Sequence, residues 1–180
     1  PVSMLGLTKR FAEMYCQALD HDLAAPGEGT PRMRLISVRF GNVLASNGSV
    51  VPKFKAQIEA GGPVTVTHPD MVRYFMTIRE ACDLVVTAAA HALSPERSEV
   101  SVYVLNMGQP VKIVELAERM IRLCGLQPGH DIDIVFTGIR PGEKLYEELE
   151  QSEEQTSRTR HPKIFIGKIS SVKRNRRHAG

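Results

Sequence analysis

Residues 102–136 read VYVLNMGQPVKIVELAERMIRLCGLQPGHDIDIVF and predict a strand, a helix and a second strand in succession. Both ends of this stretch are short runs rich in Val, Ile and Leu, which is typical of buried strands. Between them, residues 111–124 carry apolar side chains at three- and four-residue spacing. One face of an amphipathic helix would therefore hold Ile113, Leu116, Ala117, Met120 and Cys124.

The same alternation of elements continues on both sides of this stretch. Further helices are predicted for residues 6–22, 52–60, 80–93 and 141–149, the last with a proline in its first turn. Further strands are predicted for residues 33–40, 64–67, 73–78 and 163–169. Strands that alternate with helices indicate an α/β fold, and we expect a mostly parallel sheet.

Neither glycine-rich loop of a dinucleotide-binding fold, G-x-G-x-x-G or G-x-x-G-x-x-G, occurs in the 180 residues. The usual cradle for the cofactor's phosphates is therefore outside this sequence. A native chain rarely begins with a residue such as Pro1. We expect a fragment, in which residues 1–169 belong to one domain and residues 170–180 form a basic tail.

Composition limits the class of protein. The 42% of hydrophobic residues can form a core. No apolar run reaches the roughly 18 residues that span a bilayer, and no signal peptide is present, so we expect a cytoplasmic domain. Cys16, Cys82 and Cys124 are widely spaced and are expected to be buried thiols in a reducing compartment. The histidines and cysteines show no ligand spacing, so no metal site is predicted.

The net charge of +3 is unevenly distributed. Four basic residues crowd the C-terminus with no aromatic residue among them: Lys173, Arg174, Arg176 and Arg177. A solvated tail, or one that lies on anionic lipid, is favoured over a nucleic-acid arm. Because the rest of the chain is near neutral, no nucleic-acid partner is predicted.

Four segments carry residues suited to binding a nucleotide. Residues 5–10 place Lys9 four positions after Leu5, and such residues share one helix face. Residues 39–46 follow a strand end, where α/β sheets bind ligands. Residues 65–76 contain Arg73, whose guanidinium can donate two parallel hydrogen bonds to a phosphate. Residues 140–148 place Arg140 just before Glu143, a carboxylate that can accept bonds from ribose hydroxyls.

Together these segments resemble the extended short-chain dehydrogenase/reductases, and more narrowly the UDP-N-acetylglucosamine 4,6-dehydratases of capsule and lipopolysaccharide synthesis. The resemblance covers residues 1–169 and implies the C-terminal half of a Rossmann-like catalytic domain with a small substrate-binding subdomain. Most of the superfamily has tyrosine where this chain has Leu5. Large membrane-bound members have methionine there, and an Asp-Lys pair upstream is thought to supply their acid–base function.

The resemblance also implies roles for individual residues. NAD or NADP, bound mainly by the missing N-terminal half, would contact four residues of this chain: Lys9, Phe40, Gly41 and Asn42. Lys9 would hold the ribose hydroxyls of the nicotinamide and act as the catalytic residue here. The UDP-sugar would contact six residues: Asn42, Ser46, Val66, Arg73, Arg140 and Glu143. Val66 would lie near the uracil, whereas His68 is interpreted as a turn residue.

The implied activity is a nucleotide-sugar 4,6-dehydratase in bacterial surface polysaccharide synthesis, a lyase that yields a 4-keto-6-deoxy sugar. We expect the full-length protein to be a homo-oligomer, with anchoring in the inner membrane left open. Two alternatives remain. An epimerase of the same fold would share the two arginines and Glu143. A non-catalytic nucleotide-sugar-binding module would explain why Leu5, which carries no proton, replaces the tyrosine.

Overall fold

The computed structural model describes residues 3–24, 33–46, 48–93, 102–147 and 155–168. The chain forms two compact units: unit 1 comprises Pro1–Arg39, Asp83–Asn106 and Glu150–Gly180, and unit 2 comprises Phe40–Cys82 and Met107–Leu149. The helices in chain order are α1 Met4–Ala24, α2 Val50–Glu59, α3 Ile78–Ala92 and α4 Ile113–Leu123. The strands are β1 Ser37–Arg39, β2 Asn42–Val43, β3 Val64–Val66, β4 Val72–Arg73, β5 Phe75–Met76, β6 Val102–Leu105, β7 Val111–Lys112, β8 Ile134–Phe136, β9 Gln155–Arg158 and β10 Ile164–Lys168.

Unit 1 is built around a four-stranded sheet with the order β1-β6-β10-β9. β1 and β6 are parallel, whereas β10 is antiparallel to both of its neighbours. All four residues of β6 are buried, which explains why this central strand is continuously apolar. Helix α3 also has one buried apolar face, at Leu84, Ala88 and Ala92. The α/β class is confirmed, although the described sheet is mixed rather than mostly parallel.

Helix α1 buries an aspartate and leaves two of its aromatic side chains exposed. Asp20 is 2% exposed and accepts hydrogen bonds from the guanidinium of Arg34 at 3.1 and 3.3 Å and from the Leu35 amide at 2.8 Å. Conversely, Phe11 is 71% exposed and Tyr15 is 54% exposed. The helix boundaries agree with the prediction to within two residues at each end. Of the apolar side chains that recur along the helix, Phe11 and Tyr15 are exposed, whereas Met14, Ala18 and Leu19 are half-buried.

A second carboxylate on α1, that of Glu13, binds two arginines. Arg39 donates to its two oxygens at 2.7 and 2.6 Å, and Arg10 also donates to it. Burial raises the pKa of the Glu13 carboxyl, but the hydrogen bonds and charge of Arg39, and then those of Arg10, outweigh burial and lower the pKa below its ordinary value. The cluster therefore fixes the C-terminal end of β1 against α1.

We expect this cluster to make the chain sensitive to acid. Because the folded-state pKa of Glu13 is lowered, its contribution to stability is present above the unfolded pKa of about 4.3 and is lost as pH falls through the folded pKa. Glu13→Gln should lower the melting temperature at pH 7 and flatten its decline between about pH 5 and pH 3. Thermal denaturation across this pH range would measure both effects. Parallel profiles for the two proteins would contradict the assignment.

Unit 2 has a core between helices and short sheets. Phe54 and Ile58 of α2 pack with Ala117 and Ile121 of α4, and Val64 and Val66 of β3 complete the centre of this cluster. β3 pairs in parallel with β8, so an apolar pair of strands underlies the two helices. The predicted break after α2 is confirmed, since Gly61 and Gly62 adopt φ values of 85° and 84°, which L-residues with side chains rarely adopt.

Several sequence predictions for local structure are wrong. Residues 141–147 form turns and bends rather than the start of a helix, and residues 148 and 149 lie outside the described part. Residues 111 and 112 form β7 before α4 begins, and β9 was not predicted. Cys82 and Cys124 are exposed and Cys16 is half-buried, because Cys82 lies off the buried face of α3 and Cys124 lies past the end of α4.

No helix in the described part of the chain combines the length and the apolar composition that a membrane crossing requires. The basic tail at residues 170–180, predicted from composition, lies outside the described residues. The outcome of that prediction is therefore not given by the structure.

Candidate nucleotide-sugar site

The residues predicted for the site lie in both units, with Lys9 in unit 1 and the others in unit 2. Lys9 and Leu5 are exposed on the first turns of α1, one turn apart, as the spacing predicts. Ser3 caps this helix, because its hydroxyl accepts a hydrogen bond from the Gly6 amide at 3.1 Å. Leu5 is 66% exposed, so it does not serve as a core residue of unit 1.

The turn at residues 40–46 is held by backbone hydrogen bonds to the β5 region. The Asn42 amide donates to the Tyr74 carbonyl at 2.9 Å, and the Leu44 amide donates to the Met76 carbonyl at 2.8 Å. The hydroxyl of Ser46 donates to the Val43 carbonyl at 2.9 Å, which closes the turn. Ser46 and Asn42 are both half-buried. Their side chains are thus fixed on a braced turn rather than on an open loop.

Gly41 permits a close approach of two backbone segments. A Cβ atom at this position would lie 3.0 Å from the Tyr74 Cβ and 3.1 Å from the Tyr74 carbonyl oxygen. The resemblance implies that this glycine contacts the cofactor. The contact that the structure shows is with Tyr74, so packing alone already requires a residue without a side chain here.

We expect Gly41→Ala to destabilise the chain by about 1–3 kcal/mol, because backbone atoms around Tyr74 must move to admit the methyl group. Gly167→Ala is the matched control, since its added Cβ would have Val102 Cγ1 at 3.5 Å as its nearest neighbour, which is ordinary contact. Chemical denaturation of the two variants would measure the difference. Equal free energies of unfolding for the two variants would show that the turn accommodates the methyl group without a measurable loss of stability.

The turn leads directly into helix α2, whose first backbone amides lack a side-chain cap. Ser49 is its N-cap residue, but the Ser49 hydroxyl makes no capping hydrogen bond. The Ser49 Oγ atom is buried and has no hydrogen-bond partner among the described residues. The positive end of a helix dipole with unoccupied amides attracts anions such as phosphate. This arrangement suits the predicted phosphate contact of the Ser46 segment.

Two residues of the third segment have mainly structural roles. The Val66 side chain is 2% exposed and lies in the core of unit 2. Its carbonyl accepts a hydrogen bond from the Thr137 amide at 2.9 Å. A base could therefore approach the backbone of Val66 but not its side chain. His68 accepts a hydrogen bond from the Asp70 amide through Nδ1 at 3.1 Å, which confirms the turn interpretation.

The Arg73 guanidinium is fixed by the backbone of unit 2. Its Nη1 donates to the Val72 carbonyl at 2.7 Å and to the Leu145 carbonyl at 3.0 Å. The side chain is 17% exposed, and Nη2 lies 3.8 Å from Glu143 Oε1. Since one nitrogen is committed to two carbonyls, the orientation of the whole planar group is set before any ligand binds.

Arg140 and Glu143 lie in a tight turn rather than on a helix. The Glu143 amide donates to the Arg140 carbonyl at 3.0 Å, and Pro141 and Gly142 occupy the two central positions. With Gly142 at a φ of 80°, these features are those of a type II turn. Glu143 Oε2 also accepts a hydrogen bond from the Arg140 amide at 3.2 Å. The Arg140 side chain is exposed.

Glu143 therefore connects Arg73 and Arg140, the two residues predicted to bind the diphosphate. Its carboxylate pairs with the Arg73 guanidinium and accepts a hydrogen bond from the Arg140 amide. The same guanidinium donates to the carbonyl of Leu145, which is 72 positions away in the sequence. The Leu145 carbonyl, whose role was not predicted, also accepts a hydrogen bond from the Val72 amide at 3.0 Å. A backbone acceptor has no residue-type signal, so no sequence pattern could have indicated it.

Within the described residues, no group of three or more His, Cys, Asp and Glu side chains is arranged to hold a metal ion. The chemistry available to the residues above is hydrogen bonding and positive charge. These are the properties that bind a diphosphate and the hydroxyls of a sugar.

Comparison with known protein families and sequences places these residues in context. The family model described as "Polysaccharide biosynthesis protein" matches residues 1–169. The chain is 53% identical over 169 residues to the capsular polysaccharide biosynthesis protein CapD of Staphylococcus aureus. It is 51% identical over 168 residues to EpsC of Bacillus subtilis, a probable polysaccharide biosynthesis protein. These alignments cover 94% and 93% of the chain but only 26% of each relative, so the chain spans about a quarter of their length.

Three further similarities include two to sugar-nucleotide enzymes. A UDP-glucose 4-epimerase of Rickettsia massiliae is 35% identical over 156 residues, which cover 86% of the chain and 41% of that protein. Among solved structures, Pen from Bacillus thuringiensis superposes with a TM-score of 0.74 and 32% identity over 93% of this chain and 48% of that one. The dTDP-glucose 4,6-dehydratase DesIV of Streptomyces venezuelae, solved with NAD, shares the fold at a TM-score of 0.62 and 18% identity, over 83% and 43% of the chains.

Proposed function

Because the chain belongs to the polysaccharide biosynthesis protein family and has the fold of extended short-chain dehydrogenase/reductases, we propose that it is the UDP-sugar-binding part of a nucleotide-sugar 4,6-dehydratase. The substrate class proposed is UDP-N-acetylglucosamine or a close relative. The observation that carries the proposal is the preset Arg73 guanidinium beside the turn that holds Arg140 and Glu143. A diphosphate needs cationic donors from more than one direction. Arg73 offers one donor with a fixed orientation, and Arg140, exposed on the turn that Glu143 connects to it, is proposed as the second.

The proposed roles follow from the groups that each residue offers. Arg73 and Arg140 bind the diphosphate, and the amides at the start of α2, next to Ser46, add neutral donors. The Glu143 carboxylate accepts hydrogen bonds from the ribose hydroxyls. Asn42 offers both a donor and an acceptor to the sugar or the nicotinamide. Val66 contributes backbone near the uracil, since its side chain is buried.

The cofactor proposed is NAD or NADP, held mainly by parts of the full-length protein outside this chain. When bound, it would accept a hydride from C4 of the sugar and later return that hydride to C6, so that it is regenerated. Oxidation at C4 would make the C5 proton acidic, and loss of that proton and of the C6 hydroxyl would eliminate water before the hydride is returned, which leaves the 4-keto-6-deoxy sugar. Lys9 fits a role in this chemistry, because its ammonium is exposed on α1 and can bind ribose hydroxyls. Phe40 and Gly41 lie beside Asn42 at the start of the braced turn and would line the nicotinamide.

An epimerase is the second candidate, and the 35% identity to a UDP-glucose 4-epimerase is the observation that favours it. Both activities need the same grip on the diphosphate, so unit 2 does not distinguish them. The apolar Leu5 supports the dehydratase, because the large membrane-bound dehydratases that the chain resembles have methionine in place of the tyrosine. A binding module without catalysis is the third possibility. It would hold UDP-sugars without changing them.

The test is product analysis with the full-length protein, UDP-N-acetylglucosamine and NAD+. A 4-keto product that has lost one water supports a dehydratase. A product of unchanged mass and altered stereochemistry at C4 indicates an epimerase. Binding of UDP without any turnover indicates a module. We also propose a homo-oligomeric full-length protein, which light scattering would test.

The 180-residue chain by itself should show no dehydratase turnover and weak NAD(P) binding. It has no glycine-rich loop, and therefore lacks the backbone donors that neutralise the cofactor's pyrophosphate. Titration with NAD+ and the same product assay would check this. Turnover comparable to that of the full-length protein would contradict the proposal that most of the cofactor site lies outside this chain.

A further inference from the structure

The end of the chain differs from the rest in charge. Residues 155–180 contain eight of the 23 Lys and Arg residues and no Asp or Glu. Because the whole chain has a net charge of only +3, the residues before this segment have a net negative charge. Such a one-sided distribution indicates a surface for an anionic partner rather than a general means of keeping the protein soluble.

The described part of this segment is a hairpin at the edge of unit 1. Strands β9 and β10 pair antiparallel, with Arg158 opposite Phe165, and β9 is the outer strand of the sheet. Exposed side chains at the connecting end are Arg158, Arg160 and Lys163. We call residues 155–168 the basic hairpin.

The connecting turn of the basic hairpin is fixed by its own side chains. The Thr159 hydroxyl donates to the Ile164 carbonyl at 2.8 Å and accepts a hydrogen bond from the His161 amide at 3.0 Å. His161 Nδ1 accepts a hydrogen bond from the Lys163 amide at 3.2 Å. The Asn106 amide donates to the Lys163 carbonyl at 2.9 Å, which ties the turn to the end of β6. The three exposed basic side chains therefore lie in or next to a turn that hydrogen bonds hold in place.

We propose that the basic hairpin binds the surface of an anionic phospholipid bilayer. A charged edge strand also prevents pairing with other sheets, but of the three exposed basic side chains only Arg158 lies on the edge strand β9. Single-stranded nucleic acid would be expected to stack on exposed aromatic rings. In residues 155–180 the one Phe, Tyr or Trp residue is Phe165, which is half-buried. A bilayer needs only clustered positive charge, which this segment has.

The expected strength follows from the charge count. Each Lys or Arg close to an anionic bilayer strengthens partitioning by roughly fivefold. Loss of three should therefore weaken binding by about a hundredfold at most, and at least tenfold after allowance for imperfect contact. The effect should depend on salt, because the Debye length falls from about 10 Å at 0.1 M to about 3 Å at 1 M.

Co-sedimentation of the 180-residue chain with vesicles tests this. Phosphatidylcholine mixed with phosphatidylglycerol is compared with phosphatidylcholine alone. The triple variant R158Q/R160Q/K163Q removes the hairpin charges. K53Q/K55Q/R122Q removes the same charge from exposed positions in unit 2. Circular dichroism checks that both remain folded, and the single variant K163Q, with an expected loss of several-fold, replaces the triple variant if that one unfolds.

Support requires binding to the anionic vesicles alone, its loss at high salt, and at least a tenfold loss in the hairpin variant with little change in the control. Equal losses in the two triple variants would overturn the proposal, because net charge alone would then explain the binding. Binding to neutral vesicles would overturn it as well. So would tighter binding to a DNA duplex than to anionic vesicles at the same salt concentration.

Discussion

Replacing Lys9 with alanine in the full-length protein is expected to lower the rate of 4-keto product formation about a hundredfold or more. The lysine is proposed to orient the nicotinamide ribose and to place positive charge beside the reacting sugar. Because its side chain is exposed on α1, the substitution removes no packing that the structure describes. Steady-state kinetics should show the loss mainly in kcat, while the melting temperature stays near that of the unmodified protein.

Two variants make this result specific. Leu5→Met, a nearly volume-conserving change one turn away, should leave activity within about tenfold, because Leu5 carries no proton. Lys9→Arg keeps the charge but changes its geometry, and should fall between the other two. If Lys9→Ala had the activity of the unmodified protein, the first turns of α1 would not belong to the active site.

Arg73→Ala and Arg140→Ala should each weaken UDP binding about ten- to hundredfold, since a single charge-assisted contact is worth roughly 1.5–3 kcal/mol. The two variants differ in what else they remove. Arg73→Ala also eliminates the bridge between the carbonyls of Val72 and Leu145. Arg140→Ala keeps the backbone amide that bonds Glu143. A loss in the Arg140 variant therefore reports the ligand contact more directly. Calorimetric titration of the full-length protein with UDP would measure both.

Further variants test whether UDP binding depends on the charge or on the geometry of these side chains. Arg73→Lys should recover only part of the affinity, because an ammonium cannot bond two carbonyls and a phosphate in one plane. Glu143→Ala should cost less than either arginine, because its proposed partners are neutral hydroxyls. Arg122→Ala, at an exposed position paired with Glu118, is the control and should bind UDP normally. Unchanged UDP affinity in both arginine variants would exclude this site.

The sequence by itself determined most of the regular elements, because their signals are local. The buried strand β6 and the amphipathic helix α4 follow directly from the spacing of their apolar residues. Prediction from the sequence was wrong where one local signal is compatible with two different structures. Pro141 and Glu143 are what the first turn of a helix prefers, but with Gly142 at positive φ they form a turn instead. Of the three cysteines predicted as buried, Cys82 and Cys124 are exposed for a similar reason, since a helical pattern does not state which positions lie beyond the covered face.

For the candidate site, the sequence identified which side chains could bind a diphosphate and left their arrangement open. Only the tertiary structure decided that Glu143 pairs with Arg73, that a Leu145 carbonyl sets the guanidinium, and that Val66 offers backbone rather than side chain. It also decided that the two strands of residues 102–136 join different sheets, β6 with β1 and β10, and β8 with β3. The reason is that strand pairing and backbone acceptors depend on segments far apart in the chain, whereas periodicity records only the neighbours within one element.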